Sequence, residues 1–550
     1  MLLLIWSCNG DNGGGSVPPP PSSESVLHGS FAGKFDRFSR GERYSGPIAT
    51  EWCDTVWRND RVSRQLVLWT EQEVVGSLSL LATSLSDGYR TIDAEHVRLR
   101  QVDYVAGDAR ALTCGEQTSR TTARIGDALS EKNVTRLTSA DPLKVWITID
   151  IPASTPPGIY TGAIEVRQNG VAEQVFDVKM VVAPHVLPEP KEWAFHLDIW
   201  QFPFQLSQLC ASSGTRIEPF STAWFQLMEP FYALLADAGQ RAVTAYIKDG
   251  AFNRGQTMID WSREADGTWL FDYSKFDAFV EFMFALGIDR QIDCFSLAGW
   301  NDCIGYTDAA DGSYKYMDLP VLSEEYAGIW SAFLDDFRHH LASKGWMDRA
   351  VLYMDETRQE EMGRIVEVIR TNGSNWKLGL AGGEIDAAVE RELYDYSTII
   401  GYNRKATNNV RATFYTSCSQ RCPNNYVTAE TSSAEMTWMA WHAAAKGFDG
   451  YVRWAYDYWT QSDPLDVRDG TNPAGDFNMI YRTDNSMYSE PVSSIRFEML
   501  REGIADYEKV RILGVDKFRS VLSAFADSAA PDARRHVIDA QSALKQASMN

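Results

Sequence analysis

The larger, C-terminal part of the chain alternates short apolar runs with segments whose apolar residues recur at helical spacing. Eight of these runs have the length and residue types of buried parallel strands. They begin at Ala194, Ala242, Gln291, Ala350, Lys377, Thr398, Thr413 and Gly450. A doubly wound sheet is the alternative, but it usually carries a glycine-rich phosphate loop after its first strand, and none follows Trp200. Because eight strand–helix repeats close a barrel, the sequence predicts a (β/α)8 barrel over residues 189–515.

Residues 26–188 show a different sequence pattern, in which apolar and polar residues alternate with a period of about two. The clearest examples are residues 62–69, 97–105, 144–151 and 175–182. No long segment of helical periodicity interrupts them, so we predict a β-sandwich domain that contains no catalytic constellation. The three prolines within residues 184–190 mark the junction with the barrel.

The two ends of the chain lie outside these domains. Residues 1–25 contain a Leu-rich run, a small residue and Cys8, followed by a tether rich in Gly, Ser and Pro. This resembles the end of a bacterial lipoprotein signal without its basic region, and it implies a lipid on Cys8 and a location in the bacterial cell envelope, at the outer membrane or in the periplasm. Residues 516–550 are polar and predict a helical cap.

The composition argues against several classes of binding partner. A formal net charge of −22 argues against nucleic acid, because a phosphate backbone needs basic side chains. Cys418 and Cys422 have a spacing that a zinc pair could use, but no second pair or nearby His accompanies them. A loop disulfide or two free thiols is the better interpretation. We expect no metal and no cofactor, since no phosphate loop or dinucleotide fingerprint is present either.

One predicted strand, residues 350–355, runs directly into two adjacent acids, Asp355 and Glu356. Barrel enzymes keep their chemistry at the carboxyl ends of the strands. Burying two neighbouring acids is costly unless they share hydrogen bonds or one of them is protonated. This cost separates their pKa values and gives one acid and one anion at a single site. An ordinary acidic pair at the start of a loop is the alternative, but the position at a strand end favours a catalytic pair.

The other predicted strand ends carry indoles, phenols and short polar groups, which suit a sugar pocket. The candidate substrate-binding residues are His196, Trp200, Trp300, Tyr402, Asn403, Trp454, Tyr456 and Asp457. His196 and Asp198 point to one side of their strand and are also compatible with a role in the barrel floor.

Several separated motifs, taken in order, resemble glycoside hydrolase family 123. The strongest are Tyr-Met-Asp-Glu at 353–356, Ala-Phe-His-Leu-Asp-Ile-Trp at 194–200 and Asp-Gly-Tyr-Val-Arg-Trp-Ala at 449–455. Further matches lie at 56–61, 157–162, 475–476 and 493–507. The resemblance spans residues 26–513. One departure is residues 481–488, which replace a Tyr-Pro-Gly turn.

The resemblance implies a β-sandwich before a (β/α)8 barrel and a retaining exo-β-N-acetylgalactosaminidase acting on glycans that end in β-linked N-acetylgalactosamine. In that family the 2-acetamido oxygen of the substrate is the nucleophile. Carried over, Glu356 is the general acid/base and Asp355 orients and polarises the acetamido N–H. Two alternatives stay open: a two-carboxylate retaining glycosidase with Asp302 or Asp457 as nucleophile, and a lipid-anchored glycan-binding protein without catalysis.

Overall fold

The computed structural model describes residues 27–116, 121–132, 136–373, 375–402 and 411–549. Cys8, residues 1–25 and Asn403 lie outside these ranges, so the lipid tether, the envelope location and the role of Asn403 stay predictions. Among the helices in the described ranges, none combines the length and hydropathy that a membrane span requires.

The N-terminal domain is built from two facing sheets whose strands are mostly antiparallel. The first sheet contains, in spatial order, Leu27–Ala32, Asp60–Thr70, Leu143–Ile151, Val97–Asp108, Thr122–Ser130, Pro491–Ser494 and Tyr481–Arg482. The second contains Glu51–Arg58, Val171–Val186, Gly158–Gln168, Leu85–Ser86 and Thr91–Ile92, with Leu78–Ala82 also paired to Gly158–Gln168. Buried side chains from both sheets, such as Ile147 and Phe176, form one core between them.

Two strands of the first sheet come from a distant part of the chain. Pro491–Ser494 and Tyr481–Arg482 follow the last barrel strand, yet Pro491–Ser494 pairs with Thr122–Ser130. Residues 481–494, which the sequence assigns to the barrel, thus complete the N-terminal sheet.

The second domain is an eight-stranded parallel barrel. Its strands are β1 (His196–Ile199), β2 (Ala242–Tyr246), β3 (Gln291–Phe295), β4 (Ala350–Asp355), β5 (Lys377–Gly382), β6 (Leu393–Ile399), β7 (Arg411–Tyr415) and β8 (Gly450–Arg453). They run in the order β1-β8-β7-β6-β5-β4-β3-β2. Between β1 and β2 the barrel is joined by a single bridge, Leu197 to Gln240, and by Arg241 N–H, which donates to Leu197 O at 2.9 Å. The predicted fold class is therefore confirmed, with a barrel that is nearly closed.

Helices follow the strands on the outside of the barrel. They are α1 (Gln205–Ser212), α2 (Thr222–Asp237), α3 (Ser274–Ala285), α4 (Glu324–Lys344), α5 (Gln359–Thr371), α6 (Ala387–Glu390), α7 (Ala434–Lys446) and α8 (Ile495–Leu513). After α8 come the short α9 (Arg519–Leu522) and the longer α10 (Ala533–Ser548), which packs against α7 and α8.

Local differences from the predicted elements have simple causes. β6 begins at Leu393 rather than at the predicted Thr398, because residues 393–399 contain two tyrosines, a threonine and an isoleucine, all of which favour strands. The loops after β2 and β3 also form an additional sheet that the sequence analysis does not anticipate. Its strands are Asp260–Arg263, Trp269–Asp272, Cys303–Asp308 and Ser313–Asp318.

A buried charge network ties the two domains together. Asp127, on a sandwich strand, accepts hydrogen bonds from Arg37 at 3.1 Å, from Arg496 of α8 at 2.8 Å and from the Tyr481 hydroxyl at 2.6 Å. Burial alone would raise the pKa of Asp127, but the charges of Arg496 and Arg37 hold that pKa below its usual value. The carboxylate is therefore ionised and is shared by two buried guanidinium groups, whose positive charge it partly compensates.

We predict that Asp127→Asn lowers the free energy of unfolding by about 3–5 kcal/mol, because it removes the negative charge that lies between two buried guanidinium groups. Urea unfolding followed by tryptophan fluorescence measures the change. The matched control is Asp516→Asn, which removes one partner of an exposed ion pair with Arg519 and costs less than about 1 kcal/mol. Equal effects of the two substitutions would show that the Asp127 network does not stabilise the fold.

Candidate active site

A cavity of about 310 Å³ opens at the carboxyl ends of the barrel strands. It is lined by Trp200, Trp300, Asp355, Glu356, Ala381, Tyr415, Thr416, Ser417, Cys418, Val452, Trp454, Tyr458, Asn472, Asp476 and Phe477. The walls combine aromatic rings with a few converging polar groups, as expected for a small-ligand pocket.

The two acids at the end of β4 both reach this cavity. Asp355 is the last residue of the strand, and Glu356 follows with a φ of 45°, in the left-handed region that residues other than Gly seldom occupy. In a continuing strand, successive side chains would face opposite sides. The turn at Glu356, fixed by its N–H donating to Ala381 O at 2.7 Å, therefore lets both carboxylates line one cavity.

Each carboxylate has its own hydrogen-bond donor. The indole N–H of Trp300 donates to Asp355 Oδ2 at 2.9 Å, and the hydroxyl of Tyr415 donates to Glu356 Oε1 at 2.9 Å. Asp355 is half-buried, whereas Glu356 is exposed at the cavity mouth. The two acids therefore occupy different environments although they are adjacent in sequence.

These environments change the pKa values of Asp355 and Tyr415. Burial raises the pKa of Asp355 to about 7; the Trp300 hydrogen bond opposes this rise, and the charge of Glu356 adds to it. Burial also raises the pKa of Tyr415, and the neighbouring Glu356 carboxylate raises it further. Tyr415 thus stays protonated and acts as a donor.

A second set of contacts orients Trp454, which follows β8 directly. Its indole N–H donates to Asp476 Oδ2 at 3.1 Å, and Asn472 donates to the same oxygen at 2.7 Å. The other oxygen of Asp476 pairs with the fully buried guanidinium of Arg453. Trp454 also packs edge-on against Phe477, with 4.7 Å between ring centroids. These contacts fix the plane of the indole in the cavity wall.

The other two predicted indoles also lie at the cavity. Trp200 is almost completely buried and donates its N–H to Asp198 Oδ2 at 3.2 Å. Trp300 is 43% exposed, and its ring lies 5.8 Å from that of Trp454. The structure therefore brings Trp200, Trp300 and Trp454 together with the acid pair.

Two predicted substrate-binding residues lie inside the protein, away from the cavity lining. His196 is buried in the barrel interior, 3.8 Å from Asp395, and burial lowers the pKa of His196 well below its usual value, so the ring is neutral. Tyr456 is also buried, and its hydroxyl donates to Phe231 O of α2 at 2.8 Å. Both side chains support packing of the barrel.

Asp457 and Tyr402 do not line the cavity either. The Asp457 carboxylate is fully buried, where it accepts hydrogen bonds from Phe202 N–H at 2.7 Å and from the Tyr232 hydroxyl at 3.2 Å. Tyr402 follows β6 and borders a small crevice beside α7 and the C-terminal segment. Tyr402, Tyr456 and Asp457 lie in the segments that follow β6 and β8, where distance from the strand end does not decide whether a side chain reaches the cavity: Tyr458, one position beyond Asp457, lines it.

Several residues of the cavity lining are not among the predicted substrate-binding residues. Tyr415 ends β7, so the argument from strand ends applied to that strand would have found it. Asn472, Asp476, Tyr458 and Phe477 lie in the long segment after β8, whose path no periodicity specifies. Cys418 and Cys422 are both free thiols. Within the described ranges, no group of three or more His, Cys, Asp or Glu side chains could hold a metal ion.

A barrel that presents an acidic pair and three indoles in one cavity at its carboxyl rim has the features of a glycoside hydrolase. Comparison with protein families is decisive. The chain belongs to glycoside hydrolase family 123: the catalytic-domain model of that family matches residues 203–513, and the N-terminal-domain model matches residues 35–168. The resemblance noted in the sequence motifs is thereby confirmed at the level of the family.

One solved structure agrees with the fold over nearly the whole chain. A family 123 glycoside hydrolase from Clostridium perfringens, reported in a study of glycolipid glycan hydrolysis, is 22% identical, with a TM-score of 0.83 over 95% of this chain and 97% of that one. A putative glycoside hydrolase from Bacteroides vulgatus is 12% identical over 84% of this chain and 78% of that one, but its TM-score of 0.29 is too low to indicate a shared overall fold. A comparison with curated proteins found no match.

We predict that the pKa of Asp355, about 7 in the unliganded protein, responds to its two neighbours in opposite directions. Trp300→Phe removes the donor that stabilises the anion and raises this pKa, whereas Glu356→Gln removes a like charge and lowers it. Trp454→Phe, whose lost N–H serves Asp476, leaves it unchanged.

The measurement is a carboxyl ¹³C NMR titration of Asp-labelled protein, with the Asp355 signal assigned by Asp355→Asn. A shift of the same sign in Trp300→Phe and Glu356→Gln would contradict the description of the site.

Proposed function

We propose that this glycoside hydrolase is a retaining, exo-acting β-N-acetylgalactosaminidase that removes terminal β-linked N-acetylgalactosamine by substrate-assisted catalysis. Membership of family 123 supports the reaction class, and the glycolipid glycan hydrolysis reported for the relative from Clostridium perfringens is compatible with a glycoconjugate substrate. The nature of the nucleophile is the central question.

The observation that carries the proposal is the number of carboxylates available at the cavity. Among the described residues of its lining, the acids are Asp355, Glu356 and Asp476. Asp476 is already occupied by Arg453, Trp454 and Asn472. An ordinary retaining glycosidase needs one carboxylate as acid and another, across the scissile bond, as nucleophile. Two consecutive residues at one strand end do not flank a sugar, which favours a nucleophile supplied by the substrate.

In the proposed mechanism, Glu356 at the cavity mouth protonates the glycosidic oxygen of the departing group. The acetamido carbonyl oxygen attacks the anomeric carbon from the opposite face and forms a cyclic oxazolinium intermediate. Glu356 then deprotonates the water that opens this ring, so the configuration is retained after two inversions.

Asp355 has the other role in this mechanism. It accepts the acetamido N–H and stabilises the positive charge that develops on the nitrogen. A pKa near 7 in the unliganded site leaves Asp355 partly protonated at neutral pH, and the nearby cationic charge of the transition state favours its anion. Asp355 therefore stabilises the transition state, where the acetamide nitrogen becomes positively charged, more than it stabilises the bound substrate.

The alternative nucleophiles receive less support. The carboxylate of Asp457 is buried and bonded to Phe202 and Tyr232, and the exposed Asp302 is not part of the cavity lining. Trp454, held in plane by Asp476, is the proposed stacking surface for the sugar ring, a contact that contributes on the order of 1 kcal/mol.

The substrate assignment predicts a preference for the galacto over the gluco configuration. Polar groups of the cavity that bond an axial C4 hydroxyl are left unpaired by the epimer, so we expect kcat/KM for aryl β-N-acetylgalactosaminide to exceed that for the N-acetylglucosaminide by roughly 10²-fold. Steady-state kinetics with the two chromogenic substrates measure the ratio. Equal specificity constants would contradict the assignment.

The mechanism predicts different losses for the two acids. Glu356→Gln removes the proton donor, so the loss in kcat/KM is large for poor leaving groups and small for 2,4-dinitrophenol. Asp355→Asn removes a charge stabiliser, and its loss of roughly 10²–10³-fold persists across all leaving groups. A thiazoline mimic of the cyclised intermediate binds wild type tightly and Asp355→Asn weakly. Identical leaving-group dependence in the two variants would exclude these roles.

A further inference from the structure

Two thiols from different domains meet at the wall of the cavity. Cys114 lies in the loop after the sandwich strand Val97–Asp108, and Cys418 lies in the loop after β7, where it lines the cavity. The backbone N–H of Cys114 donates to Cys418 O at 2.8 Å, and burial together with the neighbouring Cys114 thiol raises the pKa of Cys418. Both are free cysteines, Cys114 exposed and Cys418 partly buried.

Independent contacts hold these two loops together on either side of the thiols. Asp108 N–H donates to Val427 O at 3.0 Å, and Ala111 N–H donates to the Glu430 carboxylate at 3.1 Å. Arg421 forms an ion pair with Glu116. The register of the loops, and with it the separation of the thiols, is therefore set by several contacts that do not involve sulfur.

The backbone geometry is compatible with a covalent bond. The 2.8 Å hydrogen bond from Cys114 N–H to Cys418 O limits the separation of the two Cα atoms to about 6.7 Å by covalent geometry, and disulfides span Cα separations of roughly 4.4–6.8 Å. We propose that Cys114 and Cys418 are an oxidisable pair that forms a disulfide between the sandwich and the wall of the catalytic cavity.

The reaction is a thiol–disulfide exchange with a low-molecular-weight disulfide as oxidant. The exposed Cys114 thiolate attacks the oxidant, forms a mixed disulfide and releases one thiol. The Cys418 thiolate then attacks the Cys114 sulfur, forms the protein disulfide and releases the second thiol. Two protein thiols are oxidised and one external disulfide is reduced to two thiols. Burial and the contact with Cys114 raise the pKa of Cys418, which is why the exposed Cys114 reacts first.

The short spacing between Cys418 and Cys422 suggests Cys422 as an alternative disulfide partner for Cys418. The neighbours of Cys422, however, differ from those of Cys114. Its thiol donates to Ala530 O, in the C-terminal segment, at 3.2 Å. Burial and the neighbouring Glu435 carboxylate, at the start of α7, raise the pKa of Cys422. Cys422 thus serves as a matched control, four positions from Cys418 on the same loop.

The disulfide has a structural consequence that does not depend on the proposed substrate. It closes a loop of roughly 300 residues and anchors Thr416, Ser417 and Cys418, all in the cavity wall, to the other domain. Such a cross-link restricts the unfolded chain and raises the melting temperature of the oxidised protein.

The test uses full-length protein, reduced and then treated with oxidised glutathione at about pH 8.5, where thiolates form. Non-reducing peptide mapping by mass spectrometry identifies the products. We expect one linked peptide pair containing Cys114 and Cys418, lighter than the sum of its peptides by two hydrogen atoms. A Cys418–Cys422 link, a persistent glutathione adduct on Cys114 or two unmodified thiols would each overturn the proposal.

Thermal unfolding supplies a second readout. Oxidation raises the Tm of wild type and of Cys422→Ser by about 5 °C and leaves Cys114→Ser and Cys418→Ser unchanged. An equal rise in all four proteins would show that the stabilisation comes from another pair. Peptide mapping of wild type alone decides the outcome if a serine variant does not fold.

Discussion

The proximity of two carboxylates on consecutive residues is the constraint around which the cavity is built. Asp355 and Glu356 share one strand end, and their charges would repel each other in a partly apolar pocket unless each had its own donor. Trp300 supplies an N–H to Asp355 and Tyr415 supplies a hydroxyl to Glu356. The left-handed backbone at Glu356 turns the second acid toward the cavity. The acid–base chemistry, the backbone turn at Glu356 and the positions of Trp300 and Tyr415 are thus all linked to these two carboxylates.

The rest of the molecule keeps the walls of this cavity in place. Arg453 and Asp476 form a fully buried ion pair behind Trp454, so the indole is held from two sides. The sandwich domain contributes as well, because Asp108 accepts a hydrogen bond from Ala474 N–H at 2.9 Å, close to Asp476 in the chain. Asp127 joins the same domain to the start of α8. The N-terminal domain therefore supports the active-site segments although it supplies none of the cavity lining in the described residues.

The architecture could be predicted where local pattern determines it. Period-two alternation identifies the sandwich strands, and apolar runs followed by helices identify the barrel, including the strand that delivers Asp355. Residues 481–494 could not be placed, because their pairing partner Thr122–Ser130 lies hundreds of residues away. The sequence pattern also does not give the exact limits of a strand: β1 begins at His196, which therefore lies at its amino end and inside the barrel, whereas Trp200 follows its carboxyl end and reaches the cavity.

Whether the substrate or the enzyme supplies the nucleophile is the central claim, and one measurement tests it directly. The protein is incubated with a 2-deoxy-2-fluoro-β-galactosyl fluoride, which has an activated leaving group but no acetamide, and its intact mass is followed over time. A two-carboxylate retaining galactosidase serves as the positive control, since it accumulates a glycosyl-enzyme adduct. The account predicts that this protein acquires no covalent adduct. A stable adduct mapped to Asp355, Asp476 or any other carboxylate would show that the enzyme provides the nucleophile.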